Sequence, residues 1–309
     1  MKIVALAGGV GGAKLTYGLA QILKPGDLTV IVNTGDDFEH YGLKICPDLD
    51  TVCYSLAELA DPLTGWGRAG DTYKSLNEAI KLGGPDWFKI GDKDLGTHLE
   101  RTRRLKEGQK LSEITRDFCH IWGIKSQVIP MTDDIVSTIL ITTEIGELSF
   151  QEYFVNQKCQ PTIKSIKYSG AENAKPVTGI IEAMEKANLV VICPSNPWVS
   201  IDPILNVQGI KKAISEKKVV AVSPIIQGKA LKGPAAKMFL ELGIEPSAEA
   251  VADHYYGLIR GFVFDQLDLN LKNKIDQKGI ISFVTDTIMR DRSEKVRLAE
   301  MILNISEKI

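Results

Sequence analysis

A run of glycines separates a short buried strand from a helix near the start of the chain. Residues 3–7 are continuously apolar, which is typical of a strand buried on both faces. The glycine-rich residues 8–12 follow, and a helical pattern then occupies residues 13–23. A second apolar strand at residues 28–32 completes a βαβ unit, which requires a parallel sheet with a helix packed on it. The opening of the chain therefore predicts an α/β fold.

The same alternation of strand and helix returns in the last part of the chain. Strands are predicted at residues 187–193, 219–222, 261–264 and 280–284, and helices at residues 207–216, 234–242 and 293–304. We therefore predict a Rossmann-like, doubly wound and mainly parallel sheet, built from residues 1–49 and 169–309.

The middle of the chain has a different pattern. Residues 50–116 are mainly helical, and the later stretches alternate between apolar and polar residues at 137–143, 147–150 and 162–168. Such alternation indicates antiparallel strands with one solvated face. Residues 50–168 are therefore predicted to form a mixed helical and β insertion that packs against the core.

Composition excludes several classes of protein. The 37 basic and 39 acidic residues give a net charge of −2, so no general nucleic-acid or membrane-surface partner is expected. No apolar run approaches the ~20 residues that cross a bilayer. The five cysteines form no CxxC pair, which indicates reduced thiols in a cytosolic protein. Because glycines interrupt the first apolar run, no signal peptide is expected either, and we predict a cytoplasmic protein.

The glycine loop is the clearest candidate for a binding site. Free backbone amides at a helix N-terminus hold phosphate well, and Lys14 adds a positive charge one turn later. The loop lacks the Gly-Lys-Ser/Thr ending of a Walker A motif, and Lys14 stands where a dinucleotide fingerprint has Gly or Ala. The loop thus predicts phosphate binding; the alternative is a tight turn that only packs the helix on the strand.

Acidic residues cluster in loops that follow predicted strands. They occur as the pairs Asp36 and Asp37, Asp48 and Asp50, and Asp133 and Asp134. Ligands in open α/β sheets bind beyond the carboxyl ends of strands, where such side chains can converge. Carboxylates beside phosphates indicate a divalent cation, and Mg²⁺ is the expected one. The alternative for each aspartate is a turn or helix-capping role, above all for Asp50.

Polar residues also open a predicted helix at residues 91–98. Lys93 could hold an anion, while Thr97 and His98 could face a cleft. His98 is a candidate general base, and the alternative is a hydrogen-bonded surface histidine. Nothing in the chain indicates a covalent nucleophile.

Ser195, Asn196 and Ser223 each follow a late buried strand. They are expected to share the sheet edge with the glycine loop, where together they could surround a nucleotide. The alternative is that the prolines beside them only terminate the strands. Residues 232–237 open a further helix near this edge and could form a second anion site.

Taken together and in their order, these motifs resemble one family, that of the 2-phospho-L-lactate transferases of coenzyme F-420 biosynthesis and their bacterial relatives that transfer phosphoenolpyruvate. The resemblance runs along nearly the whole chain and is carried by residues 7–15, 33–37, 47–52, 65–68, 91–92, 97–98, 130–134, 150–154, 194–197 and 284–287.

The resemblance implies a Rossmann-like homodimer that uses Mg²⁺. It implies transfer of a phospholactyl or phosphoenolpyruvyl group from a guanosine-diphospho donor to the ribityl hydroxyl of a deazaflavin, Fo, with release of GMP. Residues 50–168 would then contribute the deazaflavin site. Phosphoryl transfer needs mainly positioning and charge neutralisation, which glycine amides, lysine and metal-holding aspartates can supply.

Site residues are assigned by combining the motifs with the resemblance. The nucleotide and its phosphates are assigned to Gly9, Gly11, Gly12, Lys14, Asn33, Asp36, Ser195, Asn196 and Ser223. The deazaflavin is assigned to Asp50, Lys93, Thr97, His98 and Met131. The metal is assigned to Asp36, Asp37, Asp48 and Asp50, of which Asp48 and Asp50 are also the candidate catalytic residues.

Three positions depart from the family pattern. Lys93 stands where arginine is usual, which keeps the charge but loses the bidentate fork, and Asp202 and Gln227 stand where glycine is more usual. A regulatory nucleotide-sugar-binding protein of the gluconeogenesis-factor type is the main alternative, since it shares the glycine loop and the core. The motifs between residues 65 and 154 favour the transferase, and Lys14 argues against an NAD-dependent dehydrogenase. The choice between the two donors stays open.

Overall fold

A seven-stranded parallel sheet forms the centre of the molecule in the computed structural model, which describes residues 1–309. The strands of the chain are β1 Ile3–Ala7, β2 Leu28–Val32, β3 Phe38–His40, β4 Leu43–Ile45, β5 Gln127–Pro130, β6 Ser137–Thr142, β7 Gly146–Ser149, β8 Ile163–Ser169, β9 Leu189–Ile192, β10 Val219–Val222, β11 Ile225–Ile226, β12 Lys229–Ala230, β13 Gly261–Asp265 and β14 Ile281–Thr285. The main sheet has the order β5-β2-β1-β9-β10-β13-β14, and all its neighbours pair in parallel. The predicted α/β class and parallel sheet are confirmed.

The chain also forms twelve α-helices, most of which cover the two faces of this sheet. They are α1 Gly9–Ile22, α2 Pro47–Leu56, α3 Lys74–Lys81, α4 Asp92–Lys106, α5 Leu111–Ile121, α6 Ile180–Lys186, α7 Asp202–Asn206, α8 Ile210–Ser215, α9 Ala235–Glu241, α10 Ala248–His254, α11 Lys272–Asp276 and α12 Arg292–Ile305. Short π-helical turns lie at Glu152–Asn156 and Pro197–Ile201, and a 3₁₀ segment lies at Gln266–Leu271. None of the helices is long and apolar enough to span a membrane.

The alternation of side chains along the strands creates two separate cores. In β1, Ile3 and Ala5 join the core beneath α1, α2, α5 and α12, whereas Val4 and Leu6 join the core on the opposite face. The second core is covered by α6 to α11 and by a small antiparallel sheet of β7, β6 and β8. A continuously apolar strand is therefore buried on both faces, as its composition predicts.

Residues 50–168 are less separate from the core than the sequence predicts. Strand β5 lies within this segment, yet it pairs in parallel with β2 as an edge strand of the main sheet. Val52 of α2 and Leu111 of α5 belong to the same core as the strands. Strand β5 is four residues long, too short for its apolar pattern to reveal its partner. The antiparallel strands predicted near residues 137–168 are confirmed as β6, β7 and β8.

The glycine run is part of a helix rather than a loop before it. Helix α1 begins at Gly9, four residues earlier than the apolar pattern indicates. The pattern misses this first turn because glycine has no side chain that could contribute to it. The chain leaves β1 towards β2 on one side and leaves β9 towards β10 on the other. This arrangement makes the carboxyl ends of β1 and β9 the topological switch point of the sheet, where doubly wound folds bind ligands.

Candidate active site at the carboxyl edge of the sheet

One large cavity, with a volume of about 970 Å³, opens at this switch point. The start of α1 and the loops after β9 and β10 form one part of its wall, and residues of α2 and α4 form another. Predicted site residues from distant parts of the sequence therefore meet in a single space. Those that line the cavity are Gly9, Gly11, Lys14, Asp36, Asp48, Asp50, His98, Ser195, Asn196 and Ser223.

The glycines allow α1 to approach the loop after β9 very closely. A Cβ atom at Gly11 would lie 2.2 Å from the carbonyl oxygen of Pro194, and one at Gly12 would lie 2.6 Å from Ser195 Oγ. Glycine is thus required here for packing, as the tight-turn alternative proposed. Gly9 and Gly11 also border the cavity, whereas Gly12 does not. The first amides of a helix have no partner within that helix, so this wall offers N–H donors to an anion.

Three basic side chains lie on the same side of the cavity. Lys14, Lys232 and Arg290 line it, and Lys14 Nζ donates a hydrogen bond to the carbonyl oxygen of Met289 at 2.7 Å. Burial lowers the pKa of Lys14, and the positive charges of Lys232 and Lys295 lower it further. Such mutual repulsion between cations is relieved when an anion binds among them.

Asp48 and Asp36 form a buried acidic pair beside the glycines. Asp48 Oδ2 accepts a hydrogen bond of 2.9 Å from Asn33 Nδ2. Asn33 is buried and does not itself line the cavity, so it stabilises Asp48 from the protein interior. Burial raises the pKa of Asp48 to about 6, although the Asn33 amide and the backbone of Gly9 oppose this rise. Burial and the nearby Asp48 charge together raise the pKa of Asp36 well above its ordinary value.

The chemistry of these carboxylates suits a hard divalent cation. Asp36 Oδ1 is buried without a hydrogen-bond partner, and Asp48 lies close enough to repel it. Oxygen ligands with uncompensated charge are what Mg²⁺ selects. Asp37 differs, because its buried carboxylate lies 3.3 Å from Lys44 Nζ and does not line the cavity. Of the four aspartates assigned to the metal, Asp36 and Asp48 are therefore the two that line the cavity without a cationic side chain as partner.

Asp50 belongs to a separate buried network. Arg101 forms a bidentate ion pair with it, and His98 Nδ1 lies 3.7 Å from Asp50 Oδ2. The other ring nitrogen of His98 lies 3.4 Å from Asp94 Oδ2, and Tyr54 donates to Asp94 Oδ1 at 2.6 Å. Burial alone would raise the pKa of Asp94, but its bonds to His98 and Tyr54 lower it below its ordinary value.

This second cluster also contains possible metal ligands. Donor atoms of Asp50, Asp94 and His98 all lie within 4.8 Å of one another. However, Arg101 already neutralises Asp50, and its Nη1 lies 3.4 Å from His98 Nδ1. A divalent cation placed there would face a buried guanidinium, so electrostatics favours Asp36 and Asp48 for the metal.

Three residues assigned to the deazaflavin lie outside the cavity wall. Met131 is fully buried in the core, so the expectation that it touches a ligand is not supported. Lys93 points elsewhere and donates to the carbonyl oxygen of Ala69 at 2.7 Å. Thr97 is buried behind the wall, where its hydroxyl accepts from Tyr54 at 2.8 Å. Sequence position alone could not reveal which way these side chains turn.

Ser195, Asn196 and Ser223 are brought to the cavity as predicted, but their polar atoms are largely used by the backbone. Ser195 Oγ donates to the main chain of the glycine run at 2.7 Å. Asn196 accepts from the amide of Trp198 at 3.1 Å and so caps the turn Pro197–Ile201. Ser223 Oγ donates to the main chain two residues later at 2.9 Å. These residues shape the loops of this wall.

An aromatic surface of this cavity was missed as a site by sequence reasoning. Its members are Trp66, Trp87, Phe88, Phe150 and Phe154. Phe150 and Phe154 stack with ring centroids 5.4 Å apart, and Phe154 stays partly exposed. The available signal was the exposed Trp66 and the adjacent pair Trp87 and Phe88, which lie in loops. Phe150 belongs to the core and Phe154 to the turn Glu152–Asn156, so nothing in the sequence marked these two as site residues. Flat apolar walls of this kind suit a planar ring system.

The sequence model of the family described as 2-phospho-L-lactate transferase CofD matches residues 3–300. The chain belongs to this family. It is a transferase of coenzyme F420 biosynthesis at the level of the family, and the predicted resemblance is confirmed.

Curated relatives of the transferase cover most or all of its length. The phosphoenolpyruvate transferase of Streptomyces coelicolor is 40% identical, with 100% of this chain and 99% of the relative aligned. The phosphoenolpyruvate transferase of Thermobifida fusca is 42% identical over 87% of both chains. The 2-phospho-L-lactate transferase of Methanosarcina mazei is 36% identical over 97% of this chain and 99% of the relative.

A solved structure shares the fold at low sequence identity. Protein BH3568 from Bacillus halodurans superposes with a TM-score of 0.65 and 17% identity, over 98% of this chain and 99% of that one. A second structure of BH3568, described as a member of the UPF0052 family, gives a TM-score of 0.63 at 18% identity. These likenesses support the architecture alone.

Two departures from the family pattern have local explanations in the transferase. Gln227 adopts a φ of 49°, a left-handed conformation that favours glycine, so glycine is the residue expected there. Its backbone amide donates to Asp268 Oδ2 at 2.9 Å, which stabilises the turn. Asp202 begins α7 and lies 2.9 Å from His254 Nε2. Neither side chain lines the cavity.

Proposed function

We propose that this transferase moves a phosphoenolpyruvyl or 2-phospholactyl group from a guanosine-diphospho donor to the ribityl hydroxyl of the deazaflavin Fo, and that it releases GMP. The donor is enolpyruvyl-2-diphospho-5′-guanosine or lactyl-2-diphospho-5′-guanosine. The observation that carries the proposal is the cavity at the switch point, whose wall combines a helix N-terminus with basic residues, buried carboxylates and an aromatic surface.

The donor is placed on the glycine side. Backbone amides in the first turn of α1, after the Gly9 amide that bonds Asp48, can bind the diphosphate, and Lys14 and Lys232 can neutralise its charge. The backbone groups of the loops after β9 and β10 can then surround the nucleoside, because their serine and asparagine side chains already stabilise those loops. The guanine base is carried over from the family.

The acceptor is placed between α2, α4 and the aromatic surface. The planar deazaflavin ring suits contact with Trp87, Phe88 and their aromatic neighbours. The ribityl chain carries hydroxyl groups, and Asp50 is an acceptor-only carboxylate on this wall. This assignment keeps Asp50 and His98 at the acceptor and leaves out Lys93, Thr97 and Met131.

Mg²⁺ is proposed at Asp36 and Asp48, whose oxygens fit such an ion. When bound, it would neutralise charge on the diphosphate. The acidic pair lies beside the first turn of α1, so a bound cation would separate these carboxylates from the phosphates they would otherwise repel.

The reaction is an in-line displacement at phosphorus. The ribityl hydroxyl oxygen attacks the phosphorus that bears the enolpyruvyl or lactyl group, and the bond from that phosphorus to the bridging oxygen breaks. GMP leaves with the bridging oxygen and its electron pair. The hydroxyl proton passes to a carboxylate at this end of the cavity, for which Asp48 and Asp50 are the candidates.

Comparison of the relatives supports phosphoenolpyruvate as the group to test first. Relatives named phosphoenolpyruvate transferase share 38–42% of aligned residues with this chain, and those named 2-phospho-L-lactate transferase share 35–36%. A homodimer and a cytoplasmic location are kept as further parts of the proposal, carried over from the family and from the sequence.

The decisive experiment is to incubate the purified protein with Fo, Mg²⁺ and each donor in turn. Chromatography then follows the conversion of Fo to a more anionic deazaflavin, together with the release of GMP. We expect product in equal amount to GMP, from the enolpyruvyl donor at the higher rate, and loss of both with excess EDTA. Failure with both donors, with binding of nucleotide sugars retained, would favour the regulatory alternative.

A further inference from the structure

Arg101 is an enclosed charge beneath the cavity. Only 2% of its side chain is exposed, and its two terminal nitrogens bind both oxygens of the Asp50 carboxylate. The Nη1 atom lies 3.0 Å from Asp50 Oδ2. This fork-to-fork geometry restricts both the position and the rotation of the carboxylate.

The other contacts of Arg101 also lie within the protein. Its Nη1 atom lies 3.3 Å from the carbonyl oxygen of Lys44 and 3.4 Å from Nδ1 of His98. Arg101 does not line the cavity, whereas Asp50 and His98 do. Asp50 is therefore the carboxylate on the cavity wall that Arg101 contacts directly.

Stability alone does not account for this pair. The cost of removing two charges from water largely offsets their attraction, and apolar residues of similar volume often replace a buried ion pair without loss of stability. Because the carboxylate of this pair lies on the cavity wall, the pair has a second consequence. The guanidinium holds the negative charge in a fixed position before a ligand binds.

We infer that Arg101 is a positioning residue that fixes the Asp50 carboxylate towards the cavity, where Asp50 accepts a hydrogen bond from a hydroxyl group of a polyol chain. The inference rests on the proposed function, in which the ribityl chain of the acceptor is that polyol. Lysine cannot replace Arg101 in this role, since an ammonium group binds the carboxylate at one point and leaves it free to rotate.

The test compares acceptor binding in the wild type with three variants, R101K, D50N and D50N/R101Q. R104K is the matched control, because Arg104 lies on the same helix, pairs with Asp117 and does not line the cavity. Fluorescence titration with Fo gives the acceptor Kd, titration calorimetry with GDP gives the nucleotide Kd, and thermal unfolding gives Tm. The double variant removes both charges, so it folds without an unpaired buried ion even if R101K does not.

We expect R101K to raise the Fo Kd by about tenfold or more, the effect of one lost charge-assisted hydrogen bond, while the GDP Kd stays within about twofold. D50N and D50N/R101Q should bind Fo equally weakly, because Arg101 has no effect once its carboxylate is gone. R104K should bind both ligands as the wild type does, whatever its Tm.

Two results would overturn the inference while leaving the proposed function intact. One is an R101K variant that folds and binds Fo like the wild type. The other is a double variant that binds Fo more weakly than D50N, since Arg101 would then act independently of Asp50. A wild type that binds no Fo and makes no product would overturn the proposed function, and the inference with it.

Discussion

The amide of Asn33 donates a hydrogen bond to the carboxylate of Asp48, with Nδ2 2.9 Å from Oδ2. This bond connects the end of β2 to the first turn of α2, and Asn33 also donates to the carbonyl oxygen of Val199 at 2.9 Å. One buried amide thus holds together the three chain segments that meet at the switch point. Asp48 is fixed beside the glycines while its carboxylate stays on the cavity wall.

Asp48 should make stability depend on pH in the absence of a metal. Its folded-state pKa of about 6 exceeds the ordinary 3.8, so the folded protein binds more protons between these values. This group's contribution to the free energy of unfolding should therefore fall as pH rises from 4 to 6, by about 3 kcal/mol in total. D48N should weaken the pH dependence of stability, with the contribution of the buried Asp36 remaining, and should be more stable than the wild type at pH 7 without Mg²⁺. Urea unfolding between pH 4 and 7 measures the free energy of unfolding, and D86N is the control because Asp86 is exposed. Equal pH dependence in wild type and D48N would contradict the raised pKa of Asp48.

Gly11 should tolerate no larger residue. In G11V the new Cβ would lie 2.2 Å from the Pro194 carbonyl oxygen, so the loop after β9 must move away from α1. We expect lower stability and GDP binding weakened by at least about tenfold, since both sides of the donor site shift. G96V is the matched control, because Gly96 lies in a helix with open space around its Cβ position. If calorimetry shows that G11V binds GDP with the wild-type Kd, the glycines are not part of the donor site.

Lys14 should contribute to donor affinity through its charge. K14Q keeps most of the side-chain length but removes the cation from a site where burial already lowers its pKa. The Kd for GDP should rise by about 10- to 100-fold, as expected for a partly buried charge contact with phosphate. The exposed Lys24, just beyond the end of the same helix, provides K24Q as control. The affinities are measured at low salt. Equal GDP affinities of K14Q and K24Q would contradict a role of Lys14 in donor binding.

Asp50 should be required for turnover with Fo but not for nucleotide binding. D50N keeps the shape of the side chain, removes its charge and leaves Arg101 as an unpaired buried cation, which costs about 3–5 kcal/mol of stability. Turnover of the folded variant should drop by at least ~10²-fold, as for loss of a charged group at the reacting centre. The rate of GMP release, corrected for the folded fraction, tests this. Unchanged turnover would take Asp50 out of the active site.

Local patterns along the chain were sufficient to predict the layers of the fold. The apolar runs of β1, β2 and β10 are buried on both faces of a parallel sheet, and the order of strand, glycine run, helix and strand allows one handedness of crossover. The apolar pattern does not identify strand partners. Strand β5 therefore appeared to belong to an insertion although it completes the sheet beside β2.

The sequence by itself determined that the amides of a glycine-rich helix start and the paired aspartates near residues 36 and 48 would meet at one edge of a sheet, because parallel strands all end at the same edge. Only the tertiary structure decided which aspartates are free. Lys44 neutralises Asp37, and Arg101, 51 residues away along the chain, neutralises Asp50, while Asp36 and Asp48 share a buried space without a cation. Such pairing depends on distances of 3–4 Å between segments far apart in sequence, and only the packing of helices on the sheet sets those distances.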